Sequence, residues 1–290
     1  VKTWLCQNNR IDLTRTRVMG IVNVTPDSFS DGGQWFDPGR AVAHGLRLAA
    51  EGADILDIGG VSTRPGAGEV EEAEELRRVL PVIEGLARQT GVPLSVDTSR
   101  ASVARAVIEA GACIVNDVAR FDGDAEMAVV VRETGAGVVL THSRTSHDDT
   151  QYADVVEEVK AALETALAYA RAQGIAEEVC VIDPGLGFAK TTAQNVALLR
   201  RLDDLIGVAP VLIGASRKRF IGELVAHGVP AVQEIGGRAS PRADRAEAAQ
   251  RLGGSIGAAV WCALRGAAIV RVHDVKETVE ALRIVSAIEG

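Results

Sequence analysis

Asp57, Asp97, Asn116 and Asp183 each stand at or near the end of a short apolar run. Carboxylates and an amide brought together would suit the donor-rich edge of a fused heterocycle. A carboxylate accepts two parallel N–H bonds from a guanidine-like edge, which fixes orientation as well as affinity. A second set, Asn23, Arg64, Lys218, Arg271 and His273, offers amide and cationic donors suited to phosphate. Arg271 and His273 are two residues apart, so both side chains leave one strand on the same side. Each residue also has a plainer use. Asp97, ahead of Thr98, Ser99 and Arg100, would serve as a helix cap, and Arg217, Lys218 and Arg219 as a solvated charge run. Ser216, just past an apolar run, weighs against the second of these.

The elements that must position these residues alternate along the chain. Short β-branched runs at 18–22, 55–58, 94–96, 114–115, 138–141, 179–182, 211–213 and 269–272 are almost wholly apolar. That is the pattern of parallel strands covered on both faces. Amphipathic stretches at 38–51, 69–89, 101–110, 124–134, 153–173, 193–205, 217–226, 244–265 and 276–288 predict helices. Pro38 suits a first helical position, and Gly52, Gly91, Gly111, Gly135, Gly174 and Gly266 suit helix stops.

Eight strand–helix units predict a single α/β domain over residues 1–290, a (β/α)8 TIM barrel. A doubly wound open sheet is the alternative, but no Gly-x-Gly-x-x-Gly follows the first strand. Residues 1–17 would cap the barrel bottom, and residues 228–244 read as a loop insertion. The polar residues at the strand ends, from Asn23 round through Asp57, Asp97, Asn116, His142, Asp183 and Ser216 to Arg271 and His273, would then share the C-terminal face, where barrel enzymes place their sites. Two glycine-rich loops, 25–33 and 59–68, fall on that face.

Composition narrows the functional classes. A net charge of −8 argues against an electrostatic grip on nucleic acid or anionic lipid. No apolar run is long enough for a membrane span, and the first residues lack a signal-peptide core. The four cysteines, Cys6, Cys113, Cys180 and Cys262, are far apart and read as small buried hydrophobes, so a reducing cytoplasm is expected.

The motifs resemble one family. MGIVNVTPDSFSDGG (19–33) and DILDIGGVSTRPGA (54–67) are similar to the two signatures of dihydropteroate synthases. SVDT (95–98), ND (116–117), DPGLGFAKT (183–191), GASRKRFIG (214–222) and RVHDV (271–275) follow in the family's order. The resemblance implies a transferase of folate biosynthesis, a sulfonamide target, that joins 6-hydroxymethyl-7,8-dihydropterin pyrophosphate to p-aminobenzoate. It implies a pterin held by Asp57, Asp97, Asn116, Asp183 and Lys218, and a pyrophosphate held by Asn23, Arg64, Arg271 and His273. It further implies Mg2+ with Asn23 as a ligand, and p-aminobenzoate against Phe29, Thr63, Pro65, Phe188, Ser216 and Lys218. Asp97, Asp183, Lys218 and Asn23 would be the catalytic set, with carbon–oxygen cleavage preceding amine attack.

The sequence departs from the family pattern at Val61, where Glu is usual, at Thr141-His142 in place of Met-His, at Ala119-Arg120-Phe121, and in the length of 228–244. A pterin-binding methyltransferase that docks a cobalamin partner and a binding-only paralogue are the competing readings. The intact Asp27–Phe29 and Thr63–Gly66 stretches oppose the first. The presence of Arg64, Lys218 and Arg271 opposes the second. Family resemblance and the apolar stretch 251–264, with Trp261, predict a homodimer through outer helices.

Overall fold

A computed structural model describes residues 2–25, 37–61, 70–144, 151–227 and 251–290. The chain opens with an antiparallel hairpin, β1 (Thr3–Cys6) and β2 (Asn9–Asp12). Eight parallel strands follow: β3 (Arg17–Asn23), β4 (Ile55–Gly59), β5 (Leu94–Asp97), β6 (Ile114–Asp117), β7 (Gly137–Thr141), β8 (Cys180–Asp183), β9 (Leu212–Ile213) and β10 (Ile269–Val272). Neighbours pair in the order β8-β7-β6-β5-β4-β3-β10-β9. A parallel bridge between Ile182 and Val211, with Ile182 N–H donating to Pro210 O at 3.0 Å, completes the ring. The expected barrel is therefore observed, and the open sheet is not.

Helices α1 (Pro38–Ala50), α2 (Glu72–Ala87), α3 (Ala101–Glu109), α4 (Glu126–Thr134), α5 (Val155–Ala172), α6 (Thr192–Arg200), α7 (Asp203–Ile206), α8 (Arg219–His227), α9 (Leu252–Leu264) and α10 (Val275–Glu289) lie between the strands and after the last. Asp37 caps α1 through Gly39 N–H at 2.8 Å, with Pro38 at its first turn. The stretch expected as one helix over 193–205 is two. It breaks at Arg201 and Leu202 without glycine or proline, and both Leu202 and Leu205 are buried as a result. The helix expected from 244 is described from Leu252; residues 244–250, like the insertion 228–244, lie outside the described residues.

Strand alternation divides the barrel into layers. Met19, Ile55, Ile114, Val139, Val181, Leu212 and Ile269 cluster with Trp4, Cys6 and Ile11 of the hairpin and form an apolar plug. Two residues on, the same inward faces carry Ile21, Asp57, Asn116, Thr141, Asp183, Gly214 and Arg271. The other faces of the strands pack on the helices in a second, larger cluster. Apolar below and polar above is thus built into most of the strands, and the polar end is where a ligand can enter. The hairpin closes the opposite end: Trp4 is fully buried, and its indole N–H donates to Val179 O at 2.9 Å. Gly137 leaves the room for it, since a Cβ there would lie 2.5 Å from Cys6 Sγ and 3.0 Å from the indole. The expected bottom cap is present.

Candidate active site

The floor of the polar end is a carboxylate pair sharing one cation. Register aligns Asn23 with Gly59, Gly59 with Asp97, and Asp97 with Asn116, so these strand ends form one ring. Asp57, one layer lower, is fully buried. The Arg271 guanidinium donates to Asp57 Oδ2 at 2.6 Å and to Asp97 Oδ2 at 2.9 Å, and Asn116 Nδ2 donates to Asp57 Oδ2 at 3.2 Å. Asp57 Oδ1 and Asn116 Oδ1 are buried with no hydrogen-bond partner among the described residues. Burial, with Asp57, Glu75 and Asp117 adding to it and Arg271 opposing it, pushes the Asp97 carboxyl up to about 7. Asp97 is not a helix cap: Asp124 accepts from Ala101 N–H at the start of α3.

Asp183 and Lys218 make the adjoining wall. Burial raises the Asp183 carboxyl, while Lys218 and the Gly185 N–H hold it down; that N–H donates to Asp183 Oδ1 at 2.7 Å. Burial lowers Lys218 to about 8, against the pull of Asp183. Its ammonium donates to Leu186 O and sits 4.8 Å over the Phe188 ring. Lys218 turns inward because Arg217 adopts φ +58 and is held by Asp274 and by Ser255 Oγ, which accepts from Arg217 N–H. The charge run is therefore split, with Arg219 left exposed. At Gly214 a Cβ would stand about 4 Å from Asp183 Oδ2, Arg271 Cβ and Lys218 Nζ, so this glycine leaves the space between the three groups open.

Ser216 Oγ lies 3.1 Å from His273 Nδ1 and accepts from His273 N–H at 3.2 Å. Asn23 is half-buried at the end of β3, with no side-chain hydrogen bond among the described residues. Phe29, Thr63, Arg64 and Pro65 lie outside the described residues, as do the Asp27–Phe29 and Thr63–Gly66 stretches. Asp57, Asp97, Asn116, Asp183, Lys218, Arg271, Phe188, Ser216 and His273 are brought to one face. The acceptor set and the cationic set interleave in this structure: Arg271 lies between two of the acceptors, and Lys218 against the third carboxylate. Sequence spacing showed which side of the strand Arg271 leaves, but not how deep its long side chain reaches.

The departures have structural counterparts. Asp117 accepts from Ala119 N–H at 2.8 Å and from Phe121 N–H at 2.7 Å, which holds Arg120 and Phe121 at positive φ. Thr141 presents a buried hydroxyl with no hydrogen-bond partner among the described residues. Sequence reasoning passed over Lys190, which is buried behind Asp183. A lysine inside the glycine-rich DPGLGFAKT stretch was the available signal.

The site can grip a planar, donor-rich, cation-forming group from below and an anion from the side. It offers no cysteine nucleophile. All four cysteines are buried, and burial raises every thiol, Cys113 to about 11 and Cys180 and Cys262 to about 12.

Comparison with known proteins places this geometry. Residues 19–273 match the pterin binding enzyme family. The chain is 46% identical to dihydropteroate synthase of Mycobacterium leprae over 96% of its own length and 95% of the relative's. It is 42% identical to that of Escherichia coli K12, covering 97% and 94%. A solved Xanthomonas albilineans dihydropteroate synthase with 4-aminobenzoic acid superposes with a TM-score of 0.89 at 46% identity, covering 100% of this chain and 98% of that one. A Yersinia pestis dihydropteroate synthase with a sulfonamide drug complex gives a TM-score of 0.87 at 40% identity, with 99% of each chain covered. Sequence, fold and the ring of strand-end acceptors agree: the chain belongs to the pterin-binding enzymes and, among them, to the dihydropteroate synthases.

Proposed function

We infer that this chain catalyses the condensation of 6-hydroxymethyl-7,8-dihydropterin pyrophosphate with p-aminobenzoate, giving 7,8-dihydropteroate and pyrophosphate for folate biosynthesis. The observation that carries the reading is the pair of partnerless buried acceptors, Asp57 Oδ1 and Asn116 Oδ1, beside Asp97 and Asp183. Buried acceptors without partners are costly, and a ligand edge rich in N–H groups would satisfy them. A pterin has such an edge.

Asp57, Asp97, Asn116 and Asp183 would hold the pterin, and Lys218 would meet its acceptor side. As the carbon–oxygen bond breaks, positive charge grows on the pterin, and the preorganised Asp97 and Asp183 carboxylates stabilise it. Arg271, freed from Asp57 and Asp97 by the pterin, would turn to the departing pyrophosphate with His273, Asn23 and Arg64. The amine of p-aminobenzoate then adds to the electrophilic carbon, and the resulting anilinium gives up one proton to the departed pyrophosphate or to solvent. Phe188, Ser216 and Lys218, with Phe29, Thr63 and Pro65 contributed by the loops, would receive the arene.

Magnesium fits as an ion carried with the phosphates. Among the described residues no cluster of three His, Cys, Asp or Glu forms a cage, and Mg2+ commonly keeps its waters and uses one or two protein oxygens with substrate phosphates. The uncommitted Asn23 amide oxygen is suited to that role. When bound, the ion would neutralise charge on the leaving pyrophosphate.

Pyrophosphate release with the pterin pyrophosphate, with and without p-aminobenzoate, tests the function. Release coupled to dihydropteroate formation is expected. Pterin binding without release would assign the chain to binding alone. No helix among the described residues is long and apolar enough to cross a membrane.

A further inference from the structure

Lys190 has no part in the reaction as described, yet its surroundings are specific. It is only 6% exposed. Its ammonium donates to Gly185 O at 3.0 Å, Phe188 O at 3.2 Å and His142 O at 3.4 Å, and meets His142 Nδ1 at 2.9 Å. His142 follows β7, whereas Gly185 and Phe188 belong to the loop after β8. Lys190 therefore ties two neighbouring strand ends together from behind the pocket.

The tie reaches the site through Gly185. That residue, at φ +66, donates its N–H to Asp183 Oδ1, and a Cβ on it would fall 1.8 Å from His142 O. Its backbone is thus pressed between the end of β7 and Asp183. The same loop supplies Leu186 O to Lys218 and sets Phe188 beneath that ammonium. A buried cation persists where hydrogen bonds and a counter-charge offset its lost hydration. Here carbonyls supply the former and Asp183 the latter.

We propose that Lys190 is a positioning residue of the pterin pocket: it fixes the Gly185–Lys190 loop on the end of β7, and its charge helps keep Asp183 ionised. Burial lowers Lys190 to about 7, with Asp183 opposing and Lys218, Arg120 and Arg144 adding to the fall. Burial, then Lys190, Arg120 and Arg144, depress His142 to about 3, so its imidazole is neutral and its Nδ1 can accept a hydrogen bond from the ammonium. The cations facing Asp183 are Lys218, Lys190 and Arg271. Loss of Lys190 leaves two of the three, and the Asp183 carboxyl moves up.

The inference rests on Asp183 binding the pterin, and the test separates the two. Binding of 6-hydroxymethylpterin is measured by calorimetry from pH 5 to 9 for the parent, Lys190→Met, Lys190→Gln, Lys190→Arg and Asp183→Asn, alongside thermal unfolding. Asp97 titrates alike in all five proteins, since neither Lys190 nor Asp183 is among the groups that shift it, so differences between the parent and the Lys190 variants report Asp183. Below pH 7, where Lys190 carries its proton, the neutral variants should bind about tenfold more weakly, with the acid limb about one pH unit higher. Lys190→Arg should keep the parental limb. Should Lys190→Met not fold, Lys190→Gln, which retains a donor to the carbonyls, makes the same comparison. Superposable limbs in parent and neutral variants overturn the proposal, provided Asp183→Asn binds weakly. Parental binding by Asp183→Asn overturns instead the assignment of Asp183 to the pterin.

Discussion

Asp57 and Asp97 compete for one guanidinium, and that arrangement sets the energetics of the empty pocket. Asp97 lies above its ordinary range because burial outweighs the help of Arg271. The folded chain holds the Asp97 proton where the unfolded chain has lost it, so the stability it contributes is complete below about pH 4 and is lost as pH rises through about 7. An ionised Asp97 thus burdens the empty fold and is relieved by a donor-rich ligand. Asp97→Asn should weaken pterin binding by about 1.5–3 kcal/mol, without lowering the unfolding temperature at pH 8. Calorimetry and thermal melts measure the two, and parental affinity would remove Asp97 from the pocket. Asp183→Asn should likewise lose affinity more than stability. For the parent, pterin affinity should climb between pH 6 and 8 as Asp97 ionises; a flat profile would show that the bound form does not need the carboxylate.

At the scale of elements, the hairpin and the barrel ends divide the labour. β1 and β2 contribute no strand to the ring, but Trp4, Cys6 and Ile11 fill its lower mouth. Trp4→Ala should cost about 3–5 kcal/mol, the usual range for emptying a buried aromatic site, measured by urea unfolding. Turnover per folded molecule should stay parental, because the plug and the polar layer are separated along each strand. A matching drop in kcat would mean that the plug shapes the site as well. The loop after β8 is the opposite case, a catalytic-face element with no slack. Gly185→Ala would drive a methyl into His142 O and destabilise by about 2–4 kcal/mol. It should also depress pterin binding, since Gly185 orients Asp183; binding at parental affinity in the folded fraction would count against that orientation.

Among the described residues, most of the exposed large apolar side chains lie on the last two helices, with Tyr169 on α5 and Val225 on α8 besides. Leu252, Trp261 and Leu264 of α9 and Ile284 and Ile288 of α10 are exposed, and the two helices pack side by side. Trp261 is anchored, its indole N–H donating to Leu199 O at 2.9 Å and its face under Arg265. An oriented, partly exposed tryptophan on a two-helix face suits a second copy of the chain. Sedimentation at micromolar protein should give a dimer, and Trp261→Glu should give a monomer that retains the pocket. A monomeric parent would end this reading of the face.

The sequence alone determined the barrel and most of its furnishings. Eight apolar runs without alternation required strands covered on both faces, and a polar residue at each end required a common mouth. The runs could not show pairings between side chains. Whether Arg271 meets phosphate or carboxylate depends on strand tilt and on the register of Asn23 with Gly59 and Gly59 with Asp97, which arise only when the ring closes. The hairpin escaped notice because two four-residue strands carry too little periodicity to signal themselves. The break between α6 and α7 escaped because no glycine or proline marks it. Lys190 stands within the DPGLGFAKT motif, but its contacts with His142 span 48 positions. Local chemistry fixes which groups the strands deliver to the mouth. Only closure of the barrel decides which of them touch, because those contacts lie between strands that the chain itself keeps far apart.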